Sequence, residues 1–436
     1  MTATTITEVL AWEALDSRGR PTVACRVELA GGATGRAVAP SGASTGGHEA
    51  RELRDGDPAR YGGYGVLRAV ASVGATLAPL VTGLDAVDQT AVDAALESAD
   101  DDPLLGTVGA NAVLAVSLAT LRAAAASTGR PLWRHAADDG GGAPLLPLPM
   151  VNIVSGGAHA GRALDLQDVL AVPVGATSFA QAIEWAARVR AAAADLLDQR
   201  GVPTALVADE GGLAGGLDGN EAALALVTDA VQHAGLTPGA DVGIAVDLAA
   251  NQLHDGTGYR LERDGVTLDT AAWLRRLEAW CRDYPVVSLE DVLVEDDWAG
   301  WATATGALGA TRQLLGDDLF ATNAGRLRRG IDDGVANAVL VKANQAGTVS
   351  RARHVTELAR AAGYATVISA RSGDTEDDWL ADLAVGWRTG QIKVGSTMRS
   401  ERTAKWNRLL EIEATAGDGG AAFAGAAALS RSPARR

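Results

Sequence analysis

From Leu145 onward, apolar positions come as short continuous runs that stop at a charge or lead into one. Val242-Gly243-Ile244-Ala245-Val246 runs into Asp247, Val286-Val287-Ser288-Leu289 into Glu290, and Gln313-Leu314-Leu315-Gly316 into Asp317. Ala338-Val339-Leu340-Val341 runs into Lys342, Thr366-Val367-Ile368-Ser369 leads to Ala370 and Arg371, and Gln391-Ile392 ends in Lys393. Runs without polar alternation predict parallel strands covered on both faces. Helix-spaced stretches lie between them at Thr270–Asp283, Ala324–Asp333, Ser350–Ala362 and Thr375–Arg388, and Gln181–Gln199 and Glu221–Ala234 predict two earlier helices. From Glu290 on, the charged ends recur roughly every 25 residues, the length of one strand-plus-helix unit. This repetition predicts a (β/α)8-type TIM barrel, an α/β fold whose site lies at the C-terminal strand ends. A doubly wound open sheet is the alternative, but no G-x-G-x-x-G follows a strand.

The first part of the chain has another texture. Pro21–Leu29 alternates and turns at Gly31-Gly32, as a hairpin does, and Gly65–Val81, Val87–Ala99 and Asn111–Gly129 have helical spacing. Strands followed by helices predict an α+β domain over residues 1–138. A Gly-rich linker at 139–143 separates it from a barrel over 144–413, and the Gly/Ala/Ser-rich tail 414–436 is expected to be disordered.

Composition narrows the function. The 436 residues are 47% hydrophobic and 21% charged, as in a soluble globular protein. A net charge of −16 argues against nucleic-acid binding. Two cysteines, Cys25 and Cys281, form no disulfide framework and point to a reducing compartment. The start lacks signal-peptide character, and Ala110–Leu121 is apolar but reads as too short to cross a membrane. The expectation is a cytoplasmic protein with neither nucleic-acid nor membrane partners.

In a barrel, Asp247, Glu290 and Asp317 share one mouth. Three carboxylates without His or Cys favour a hard, oxygen-seeking cation, magnesium rather than zinc. Each acid could instead cap the helix that follows it. Two lysines at matching positions, Lys342 and Lys393, make a shared site the stronger reading. Positive charge nearby would lower the pKa of Lys342 toward that of a general base, with Lys393 orienting a substrate anion. Magnesium would stabilise the charge left when a proton leaves the carbon beside a carboxylate. Elimination also needs an acid, and Ala208-Asp209-Glu210-Gly211-Gly212 offers carboxylates on a tight turn. His159, in a Gly-rich loop, could reach an anion, and Arg371, followed by Ser372, suits phosphate.

These residues carry a resemblance that covers residues 6–413. Asp16-Ser17-Arg18-Gly19, Ser41-Gly42-Ala43-Ser44-Thr45-Gly46 with His48-Glu49-Ala50, Asp209-Glu210-Gly211-Gly212, Ser288-Leu289-Glu290-Asp291, Glu295-Asp296-Asp297-Trp298 and Arg371-Ser372-Gly373 resemble the motifs of enolases. The resemblance implies an N-terminal α+β capping domain on a modified barrel, assembled as a homodimer or larger homo-oligomer. It implies a lyase that dehydrates a small phosphorylated hydroxy acid, 2-phosphoglycerate, to phosphoenolpyruvate with two magnesium ions. Lys342 would be the base, Glu210 would direct the acid step, and Asp168 would stand at a catalytic position. Asp247, Glu290 and Asp317 would hold the first magnesium, and Ser44 would contribute to the second, which arrives with substrate. Arg371 and Ser372 would hold phosphate, Lys393 the carboxylate side, and His159 and Gln167 would line the pocket.

Two positions depart from the family pattern: Ala370 stands where it has histidine, and Asp168 where it has glutamate. Both changes shorten side chains on the leaving-group side. Three readings follow: a 2-phosphoglycerate dehydratase, a dehydratase of a phosphate-modified analogue such as a carboxyphosphono compound of phosphonate biosynthesis, or an impaired, enolase-like scaffold.

Overall fold

The computed structural model describes residues 1–42, 46–137, 143–416 and 420–429. The expected linker at 139–143 lies outside these residues except for Ala143, as do Ser44 and the tail positions 417–419 and 430–436. Pro21–Leu29 is the middle strand of a three-stranded antiparallel sheet, between Ile6–Leu15 and Thr34–Val38. Helix Ala110–Ser127 packs on this sheet so closely that a Cβ on Gly35 would sit 2.1 Å from the Ala119 carbonyl oxygen. The helix is long and apolar enough to cross a membrane, contrary to the shorter stretch expected, but 83% of it is buried inside the protein. An apolar helix covered on nearly every side is a core helix.

The eight barrel strands close in the spatial order Leu148–Ser155, Asp168–Val172, Gly243–Asp247, Val286–Glu290, Gln313–Gly316, Ala338–Val341, Ala365–Ser369 and Gly390–Gly395. Uniform strand–helix repetition fails at one place. Asp168–Val172 runs antiparallel to both neighbours, and helices Phe179–Asp198 and Asn220–His233 follow it in succession. The reversal brings the beginning of that strand, Asp168, to the mouth where the other strands end. Thr375–Arg388 shrinks to a helix at Trp379–Gly386, because buried Lys405 donates to Asp374 Oδ1 (2.8 Å) and to the Thr375 carbonyl, tying that stretch down as a loop. Helix Trp298–Leu308 escapes the hydrophobic pattern; two glycines and two threonines dilute it, and Asp297 caps its start by accepting from Gly300 N.

The tail expected to be disordered is ordered over 420–429. Ala422–Phe423 pairs with Leu145–Leu146, and Gln391 Nε2 donates to the Ala428 carbonyl (3.0 Å). Leu429 packs with Leu148, Val172 and Ala338 inside the barrel, at the end away from the charged mouth. A few apolar residues suffice to order a glycine- and alanine-rich segment when the barrel offers them a place to be buried.

Candidate active site

Strand register assembles the site. Ser155 stands opposite Asp168, Asp168 opposite Asp247, Asp247 opposite Glu290, and Ser369 opposite Lys393. Because successive side chains alternate faces, this common level turns the charged groups into one barrel mouth. Lys393 lies inside its strand rather than at the end, and its Nζ donates to Asp247 Oδ2 and Glu290 Oε2, both at 2.7 Å. Lys342 Nζ donates to Asp317 Oδ2, and Gln345 Nε2 reaches Asp317 Oδ1 (3.3 Å).

Charges in the mouth set one another's titration. Burial pushes the Glu290 carboxyl upward and neighbouring Asp247 adds to this, so it rests well above the usual range despite Lys393. For Asp247 burial also pushes upward, but Lys393 outweighs it and the pKa falls. Burial presses Lys342 downward, yet Asp317 and Glu290 outweigh it and hold the ammonium above the ordinary lysine value. The lowered pKa expected for Lys342 is therefore not found in the chain by itself, because a carboxylate is its nearest charge.

Glu210 is held by a turn that needs two glycines. Gly211 has a φ of +83°, and a Cβ on Gly212 would fall 2.5 Å from Ser155 Oγ. Glu210 and His159 line the same cavity as Lys342, Lys393, Asp247, Asp317, Gln167, Ala370, Arg371 and Ser372. His159 Nε2 lies 3.9 Å from Glu210 Oε1, while Gln167 Nε2 reaches Asp247 Oδ2 (3.3 Å). Asp168 is drawn back from the cavity: it pairs with His159 Nδ1 (2.9 Å) and accepts from Ser155 Oγ (2.8 Å) and Asn152 Nδ2. It thus sits behind His159.

Burial pushes the His159 pKa down, but Asp168 and Glu210 outweigh it and raise it to about 9. A raised folded-state pKa gives stability that is complete below the unfolded value of about 6.5 and is lost as pH climbs through the folded value. The imidazole NMR titration is expected to have its midpoint near 9, and Asp168→Asn should move it down; a midpoint at the free-histidine value would contradict this pairing.

Arg371 Nη1 donates to Glu49 Oε2 (3.1 Å) and Asn344 Oδ1 (2.9 Å), and the backbone of Ser372 is gripped by Arg402. Ser44 lies outside the described residues. Sequence reasoning missed Glu49, Asp291 and Asp318 as part of this site. Asp291, with φ +45°, accepts from the backbone N–H of Asp317 (3.0 Å) and of Asp318 (2.8 Å). Burial and the neighbouring Asp317 push the Asp318 carboxyl up to about 7. The doublets Glu290-Asp291 and Asp317-Asp318 were the available signal.

Residues 6–136 match the family model described as enolase, N-terminal domain, and residues 143–432 the one described as enolase, C-terminal TIM barrel domain. The chain belongs to the enolase family. With the closed barrel and its capping α+β domain, it is a magnesium-dependent lyase of the enolase type. The buried donors suit such an ion. Asp291, Asp317 and Asp318 form an all-oxygen cluster close enough to hold one, and His159, Asp168 and Glu210 form a separate cluster close enough to hold a cation. Glu290 Oε1 is buried and has no hydrogen-bond partner among the described residues. A buried carboxylate oxygen without a donor is satisfied by a hard cation.

Proposed function

We propose that the protein removes water from 2-phosphoglycerate to give phosphoenolpyruvate. The observation that carries this reading is the convergence of Lys342, Glu210, Lys393 and Arg371 on one cavity. Lys342 Nζ takes the proton from the carbon bearing the phosphate and carboxylate. Electrons of the broken C–H bond form the C=C bond as the neighbouring C–O bond breaks. Glu210 delivers a proton to the departing hydroxyl, so that water leaves. Arg371 and Ser372 bind the phosphate, Lys393 orients the carboxylate, and His159 and Gln167 line the wall, with Asp168 positioning His159. Asp247, Glu290 and Asp317 would hold the magnesium ion, which would supply positive charge to stabilise charge building on the substrate carboxylate. A second magnesium, carried in with substrate, would be held in part by Ser44. The same reading takes the chain as a cytoplasmic homodimer or larger homo-oligomer; the family supports the compartment, and so do two buried free cysteines.

A second reading rests on Ala370 and Asp168. Ala370 is part of the cavity wall and Asp168 is withdrawn behind His159, so side chains are short at two places where the family pattern has longer ones. A substrate enlarged at its phosphate end, such as a carboxyphosphono analogue, would fit that change. Purified protein with magnesium is expected to turn over 2-phosphoglycerate, followed by the ultraviolet absorbance of the enol. Ala370→His is expected to raise that rate by about 10²-fold, the lower end of what a positioned proton-transfer group contributes. A fall in rate would instead favour the enlarged substrate. Absence of both turnover and solvent-deuterium exchange at the alpha carbon, with 2-phosphoglycerate and its enlarged analogues alike, would leave the scaffold.

A further inference from the structure

A third group of ligand atoms lies outside the catalytic cavity. His48, Glu295 and Asp296 each bring one to within 4.8 Å of the others. His48 lies in the segment 46–50, and Glu295 and Asp296 follow the strand that ends in Glu290. The contacts among them are incomplete as ordinary pairing. His48 Nε2 is 3.8 Å from Asp296 Oδ1, too long for a hydrogen bond. Glu295 Oε2 is fully buried and has no hydrogen-bond partner among the described residues. Its carboxylate is covered by the backbone of Gly46 and Gly47, where a Cβ would stand 3.8 and 3.9 Å from its two oxygens. A carboxylate with one buried oxygen lacking a donor, clustered with an imidazole and a second carboxylate, is an incomplete arrangement that a cation completes.

The support for these ligands is rigid. Glu295 N donates to Asn251 Oδ1 (2.9 Å), and Arg326 donates to the Glu295 carbonyl (2.6 Å) and to Asp296 Oδ1 (3.0 Å). On the other side, Glu49, next to His48, accepts from Gly46 N (2.7 Å) and pairs with Arg371 inside the cavity. Side-chain exposures of 41% for His48 and 67% for Asp296 leave the cluster open to ions from solvent.

The geometry points to a transition-metal site, of the zinc or cobalt(II) class, at His48, Glu295 and Asp296, which staples the segment 46–50 to the barrel. An imidazole with two carboxylates and an open position for water suits these ions, whereas magnesium prefers oxygen donors alone. The site shares no residue with the magnesium carboxylates Asp247, Glu290 and Asp317. Its consequence is mechanical: an ion there fixes the residue beside Glu49, and through Glu49 the side of the cavity held by Arg371.

The test titrates full-length protein, saturated with magnesium, with cobalt(II), reading the visible absorption of the bound ion and its stoichiometry. One equivalent is expected to bind with imidazole-type bands, and amide hydrogen exchange over 46–50 should slow. Removing an outer partner of a metal ligand typically costs 10–100-fold in affinity, so losing a ligand in His48→Ala or Glu295→Gln should weaken binding by roughly 100-fold or more. Asp247→Asn should leave it unchanged. Undiminished binding in either His48→Ala or Glu295→Gln, loss in Asp247→Asn, or no uptake by the unaltered protein overturns the site.

Discussion

Lys342→Ala is expected to slow exchange of the substrate's alpha proton with solvent deuterium by about 10²–10⁴-fold, the range a positioned proton-transfer group contributes. Overall turnover should fall with it, while the fold remains. Lys342 lies at a strand end and contacts Asp317 without filling the apolar core, so alanine removes an ammonium and leaves no large internal void. The exchange experiment isolates the first half of the reaction. Glu210→Gln should preserve exchange and block loss of water, because it retains the base and removes the proton donor. Equal exchange in Lys342→Ala and the parent protein would remove Lys342 from its proposed role.

The second large effect concerns stability. Among the described residues, Lys393 is the one ammonium that pairs with both Asp247 and Glu290, and all three are buried. Removing one member of a buried ion pair costs about 3–5 kcal/mol because the remaining charge is left without compensation. Lys393→Met, which keeps the aliphatic length, is therefore expected to lower stability by about that amount in chelator-treated protein, measured by denaturant unfolding. Magnesium should narrow the gap between variant and parent, since a cation that binds the folded carboxylates stabilises the folded state by mass action. An unchanged gap across a magnesium titration would mean that Asp247 and Glu290 do not take the ion.

How much of this was legible depended on the range of the interaction. The run Ala338–Val341 ending in Lys342, and its counterparts ending in Asp247, Glu290 and Asp317, announce buried parallel strands because continuous apolar runs are a local signal. The reversed strand Asp168–Val172 was illegible for the opposite reason. Its direction is decided by pairing with Leu148–Ser155 and Gly243–Asp247, and the four apolar residues Val169–Val172 read the same either way. The order of 420–429 was likewise hidden, since its support comes from Leu145–Leu146 and Gln391, remote in sequence.

The chemistry divides in the same manner. By itself the sequence determined the residue types and their spacing: carboxylates and lysines at recurrent strand ends, a glycine-flanked Glu210, and the substitutions at Asp168 and Ala370. Those are covalent facts, and barrel periodicity turns them toward one mouth. Only the tertiary structure decided partners. It placed Lys393 between Asp247 and Glu290, set Lys342 on Asp317 with a raised rather than lowered pKa, and drew Asp168 behind His159. Electrostatic energy depends on separations of a few ångströms and on burial, and neither exists until distant strands have closed the barrel.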